Sequence, residues 1–129
     1  MYKRQIHALS HPVGALYNTH HGTTNGVFMP YVLVFNRQAI ETKIVRLAGF
    51  LGIAGGFDGF LKSVLDLRKR TGVPHDLGGL GVDGSRAELI AEMAVVDPTA
   101  GGNPVPLTKQ GSRKIFEAAL KGDVAAAAA

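Results

Sequence analysis

Arg37-Gln-Ala-Ile-Glu-Thr-Lys-Ile-Val-Arg-Leu-Ala-Gly-Phe-Leu51 decides the fold class of this chain. Ile40, Ile44, Leu47, Ala48 and Leu51 recur at three- and four-residue steps, while Arg37, Glu41, Lys43 and Arg46 fall mostly on the other side. That period makes one apolar stripe on an α-helix. Gly52 to Gly56 break it, and Phe57, Phe60, Leu61, Val64, Leu65 and Arg68 restart it. Thr71-Gly72-Val73-Pro74 then has the order of a helix stop. Further on, Ser85-Arg86-Ala87-Glu88 reads as a capping box, opening a helix with Leu89, Ile90 and Met93 inward and closing at Asp97-Pro98. After a Gly/Pro-rich loop from Thr99 to Pro106, Thr108 caps a last helix with Ile115, Phe116, Ala119 and Leu120 on its apolar face and Gly122 as its stop.

In the N-terminal direction a helix is expected from near the start to about Ala15. The stretch Phe28, Met29, Tyr31, Val32, Leu33, Val34 and Phe35 is apolar on every face and carries Pro30. It reads equally as a buried helix or a buried strand, since periodicity does not separate the two; Asn36 closes it. No alternating strand stands out elsewhere, so the class predicted is all-α. Residues 1–122 read as one domain, and the alanine-rich tail, 123–129, as a frayed extension with nothing obvious to pack against.

With 129 residues the chain is long enough for one buried core. It has no cysteine, which removes disulfides and thiolate metal sites and fits a reducing cytoplasm. No apolar signal core opens the chain, and the run Val27 to Phe35 is too short to span a bilayer, so no membrane is expected. The net charge of +4 comes from short clusters, Lys3-Arg4 and Arg68-Lys69-Arg70, with no interleaved aromatics to stack bases. No nucleic-acid partner is expected.

The chemistry gathers near the start. Four of five histidines lie within His7-Ala-Leu-Ser-His-Pro-Val-Gly-Ala-Leu-Tyr-Asn-Thr-His-His-Gly22. His7 and His11 share a helix face at a spacing of four, and the segment after them can turn His20 and His21 back toward the pair. Imidazole is both the commonest metal ligand and the side chain that titrates near neutrality. No carboxylate lies close in sequence; Asp58, Asp66, Asp83 and Asp97 are all distant. Gly79-Leu-Gly-Val-Asp-Gly84 matches a dinucleotide-binding pattern, but no strand precedes it, so it reads as a loop before a helix. His75 in the neighbouring loop reads as a solvated or locally bonded side chain.

His7-x-x-x-His11-Pro-x-Gly14, then Tyr17-Asn18-Thr19-x-His21-Gly22 and Asn25-Gly-Val-Phe-Met-Pro30-Tyr-Val-Leu-x-Phe-Asn36, closely resemble the iron-dependent (group III) alcohol dehydrogenases. Gly72-Val73-Pro74, Gly81-Val82, and Asp97 ahead of Gly101-Gly102-Asn103-Pro104 extend the resemblance to about Leu120. It implies the helical bundle that forms the C-terminal domain of those enzymes. It implies a divalent metal, Fe2+ or Zn2+, held by one Asp and three His, with His7 and His21 at the last two ligand positions. His11 takes the position of a non-ligand histidine in a proton relay. NAD(P) binding belongs to an N-terminal nucleotide-binding domain, expected here as a missing partner or another chain. Chemistry of this kind uses the ion to polarise an alcohol oxygen while hydride passes to the nicotinamide. Two of four ligands and the cofactor domain are absent, so the isolated chain is expected to be inactive. The alternative is a non-catalytic helical remnant that self-associates as a homo-oligomer through uncovered apolar surface, with or without a bound metal, for which His20 is a candidate replacement ligand. His20 stands where the family usually has Pro, and Val105 where Arg is common.

Overall fold

A computed structural model describes residues 4–129. Six α-helices follow one another: α1 (Arg4–Tyr17), α2 (His21–Phe35), α3 (Arg37–Phe50), α4 (Gly56–Arg70), α5 (Ala87–Val96) and α6 (Lys109–Lys121). Short 3-10 turns lie at Gly78–Leu80, Ala100–Gly102 and Ala125–Ala127, and no strand occurs among the described residues. Lys3 of the Lys3-Arg4 pair lies outside them.

The ambiguous stretch is a helix, and its place in the bundle explains its composition. α2 packs against α1, α4 and α6, so a one-sided stripe would leave apolar neighbours facing polar side chains. Thr24, Val27, Phe28, Tyr31, Val32, Leu33 and Phe35 are all buried. Pro30 removes one backbone bond within α2, and packing on three sides holds the helix together across that gap. Gly26 lets the turn after α4 approach: a Cβ there would stand 3.1 Å from a methyl of Val73.

Two cores result. Leu9, Val13, Val27, Phe28, Tyr31, Ile90, Ile115 and Phe116 form the main one, between α1, α2, α5 and α6. Leu33, Ile40, Ile44 and Phe57 form a smaller one where α3 and α4 lean on α2. Asn36 both ends α2 and starts α3. Its buried amide donates to Gln5 Oε1 at 3.0 Å and exchanges hydrogen bonds with Asn103 at 2.9 and 2.8 Å. The junction is thereby tied to α1 and to the loop before α6.

Four sequence expectations change. Ser85 and Glu88 do not form a capping box: no side chain caps α5 at Arg86, and Ser85 Oγ donates to Asp83 Oδ1. Glu88 pairs instead with Lys109 and Arg113 of α6, where opposite charge is available. On α5, Leu89 is exposed, and Ile90, Ala91 and Ala94 make the buried face. Small alanines let α5 and α6 lie close. On α3, Leu47 and Leu51 are exposed beside Val45 and Phe50, the last 88% exposed. The alanine-rich tail packs: Ala127 is fully buried, Val124 lies against the main core, and the turn at Ala125–Ala127 touches α2 and α6.

Other expectations hold. Thr108 Oγ1 accepts the Gly111 N–H at 3.0 Å as the cap of α6, and Gly122 ends that helix with φ 74°. Arg68, 5% exposed, turns inward to donate to the Val27 carbonyl at 3.0 Å and to His75 Nδ1 at 2.8 Å. His75 Nε2 in turn donates to the Gly122 carbonyl at 2.8 Å. A guanidinium only donates and a carbonyl only accepts, so this histidine is neutral with its proton on Nε2. His75 is thus locally bonded and serves as a brace between α4 and the end of α6.

Candidate metal and proton-relay site

α1 carries His7 and His11 one turn apart, and the chain then reverses within three residues. Asn18 takes the left-handed conformation, φ 54°, which Asn tolerates better than most residues. His20 stays extended and caps α2, its Nδ1 accepting the Thr23 N–H at 3.3 Å with the Thr23 hydroxyl 3.1 Å away. His21 is therefore the first residue of α2. The reversal stacks α2 on α1 and brings three rings together. Centroids of His7 and His21 lie 5.2 Å apart, His7 and His11 5.7 Å, and His11 and His21 5.4 Å with near-parallel planes.

The rings of His7, His11 and His21 thus lie together, and His20 does not join them because its ring is committed to the cap. Among the described residues, no three His, Asp or Glu side chains converge in metal-binding geometry. The face offers imidazoles from two facing helices and, among the described residues, no nearby set of three ligands, so an ion there would need donors from elsewhere to complete its sphere. His21 Nε2 accepts from the Asn25 amide at 3.0 Å. Burial among its neighbours pushes the His21 pKa down, and His7, His11 and His20 push it further. The ring is accordingly neutral near pH 7, the state a ligand needs.

Sequence spacing missed Asp97. Packing of α5 against α1 brings the end of α5 under His11, and Asp97 Oδ2 lies 2.8 Å from His11 Nδ1 although 86 residues separate them. The Asp97 side chain is only 10% exposed. Its Oδ1 accepts the Thr99 N–H at 2.8 Å and also the Thr99 hydroxyl. The Asp97-Pro98 helix end marks a stop but not where it lands.

Burial works against the charge on Asp97, but the hydrogen bonds from Thr99 and His11 outweigh it and hold its pKa below the ordinary 3.8. A depressed carboxylate pKa contributes stability that is complete above the unfolded value and is lost as pH falls through the folded one. Asp97→Asn is therefore expected to lower the urea midpoint at pH 7, with the difference from the parent chain shrinking as pH falls below about 4. A difference independent of pH between 7 and 2 would contradict this account.

Beside His7 an apolar groove of about 560 Å³ opens between α1, α2, α3 and α4, lined by Ile6, Met29, Leu33, Ile44, Leu47 and Phe60. The Gly79–Gly84 segment is a loop containing a 3-10 turn, stabilised by the Asp76 carboxylate on the Gly79 N–H; no strand precedes it among the described residues. No helix among them is long and apolar enough to cross a membrane.

Comparison with known proteins meets this geometry. The model of the Fe-containing alcohol dehydrogenase family, C-terminal, matches residues 2–120. The NADPH-dependent butanol dehydrogenase of Clostridium saccharobutylicum is 30% identical over 125 residues, covering 90% of this chain and 32% of that protein. Long-chain-alcohol dehydrogenase 1 of Geobacillus thermodenitrificans is 33% identical over 130 residues, covering 92% and 32%. The crystal structure of a 1,3-propanediol oxidoreductase superposes with a TM-score of 0.84 at 31% identity, covering 90% of this chain and 32% of that one. The chain spans about a third of the length of these relatives.

Proposed function

The chain belongs to the Fe-containing alcohol dehydrogenase family and corresponds to the C-terminal part of its members, and from that premise we propose that it supplies half of a metal site and a proton relay for NAD(P)-linked interconversion of an alcohol and an aldehyde or ketone. The observation that carries this reading is the meeting of His7, His11 and His21 at one face, with His11 backed by the Asp97 carboxylate.

His7 and His21 would hold a divalent ion, Fe2+ or Zn2+, from adjacent helices. When bound, the ion supplies Lewis acidity at the substrate oxygen. The chain's own residues do the rest. Asn25 keeps the His21 lone pair oriented until a ligand takes its place. His11, not committed to an ion, receives the proton that leaves the hydroxyl and returns it to solvent, for which its 43% exposure leaves a path. The apolar groove beside His7 excludes water from one flank of the site.

NAD(P) and the remaining ligands come from a nucleotide-binding part, on the same polypeptide or another. The 129 residues alone are expected to oxidise no alcohol with NAD(P). The test joins them to the N-terminal two thirds of the butanol dehydrogenase and follows NAD(P)H at 340 nm in the chimera and in the chain alone. Turnover in the chimera that disappears with His7→Ala supports the reading; turnover by the chain alone overturns it.

A second reading has its own observation. Leu47, Phe50 and Leu51 are exposed large apolar side chains at the end of α3 and just beyond it, and uncovered apolar surface favours association. In that reading the chain is a helical self-associating protein, and sedimentation of the purified chain would give a dimer or larger species instead of a monomer.

A further inference from the structure

The contact under His11 determines more than its position. A carboxylate oxygen can only accept, so Asp97 Oδ2 at 2.8 Å requires a hydrogen on His11 Nδ1. The neutral ring then has its lone pair on Nε2, which makes no hydrogen bond among the described residues. Asp97 is itself held in one orientation. The Thr99 backbone N–H fastens Oδ1, the Thr99 hydroxyl lies between that oxygen and the Arg4 carbonyl, and Pro98 follows the last turn of α5. The other rings at this face meet His11 by ring contact, His7 edge-on at 5.7 Å between centroids and His21 near-parallel at 5.4 Å.

We propose that Asp97 is a positioning residue that locks His11 as the Nδ1–H tautomer, presenting Nε2 as the proton acceptor of the site. The tautomer stands on the geometry alone; its use in removing an alcohol proton rests on the dehydrogenase reading above. Thr99 makes the idea sharply testable. In Asp97→Asn the Thr99 N–H still requires an oxygen, so the amide oxygen takes the Oδ1 position and the NH2 faces His11. Nδ1 must then accept, and the proton moves to Nε2. The substitution changes one atom and reverses the donor and acceptor roles of the ring.

Long-range 1H–15N correlation of the 15N-labelled chain separates the two neutral tautomers directly. Spectra are recorded with chelator at about pH 8.5, roughly two units above the ordinary histidine value, and His11 is assigned by its loss in His11→Gln. The expected result is Nδ1–H in the parent chain and Nε2–H in Asp97→Asn. An Nε2–H pattern in the parent, or an unchanged Nδ1–H pattern in the variant, overturns the proposal. Should Asp97→Asn fail to fold, Asp97→Ala is read the same way: the Nδ1–H pattern gives way to a mixture, and its persistence is equally fatal. Zinc titration of the same parent sample keeps the two readings apart. Absence of zinc binding with the predicted tautomers counts against the metal site alone, whereas zinc binding with unchanged tautomers counts against Asp97 alone.

Discussion

His7→Ala and His21→Ala are each expected to weaken zinc binding to the purified chain by about 100-fold or more, the upper end of what loss of a partner behind a metal ligand costs. That corresponds to about 2.8 kcal/mol. Each substitution leaves one of the two proposed ligands, and a single ligating imidazole competes poorly with water for the ion. Their rings face each other from α1 and α2 at 5.2 Å, and the third ring at this face, His11, is held by Asp97. His20→Ala is the informative contrast. Its ring caps α2 through the Thr23 N–H, so the variant is expected to lose about 1 kcal/mol of stability and to bind zinc as the parent does. Calorimetric titration of chelator-treated protein measures all three. Equal zinc affinity in His7→Ala, His21→Ala and the parent would remove both residues from the ligand set.

Phe28→Ala is expected to cost about 3–5 kcal/mol in folding free energy, the range for emptying a buried aromatic site. Phe28 is fully buried at the middle of α2, and neighbours on α1 and α6 are held by their own contacts and cannot collapse into the hole. Domains of this size have about 5–15 kcal/mol in total, so a large part of the stability depends on one ring. Phe50→Ala on the exposed face of α3 removes the same side chain at little cost. Urea titration at pH 7 compares them, and equal midpoints for the two variants would show that the core is not centred on α2.

Much of the fold could be read from the sequence because periodicity and punctuation agree. α3, α4 and α6 have stripes, and their ends have Gly72 and Gly122, both with positive φ. α2 was ambiguous for a physical reason: a helix packed on three sides has no polar face, and so no period. The capping box at Ser85 failed because a four-residue pattern cannot register a rival partner. Glu88 has Lys109 and Arg113 across the α5–α6 contact, and Ser85 has Asp83. The exposure of Leu47, Leu51 and Leu89 was equally invisible, since a stripe says which residues share a face and not whether anything covers it.

The site divides along the same line. His7 and His11 at a spacing of four, and a turn returning His21, are local facts and readable as such. Asp97 reaches His11 only through the packing of α5 on α1, so no spacing rule contains it. By spacing alone His20 is equivalent to His21, and the cap geometry shows why its ring lies apart.

The amide cluster of Gln5, Asn36 and Asn103 also bears on how this sequence can change over generations. Each side chain there is the principal means by which another is satisfied, and a buried amide left without its partner costs about 1–3 kcal/mol. Single replacements are therefore filtered out, while a concerted exchange to apolar residues of similar shape is close to neutral. The three positions, far apart in the chain, amount to one inherited character: related sequences should keep the set or replace it together.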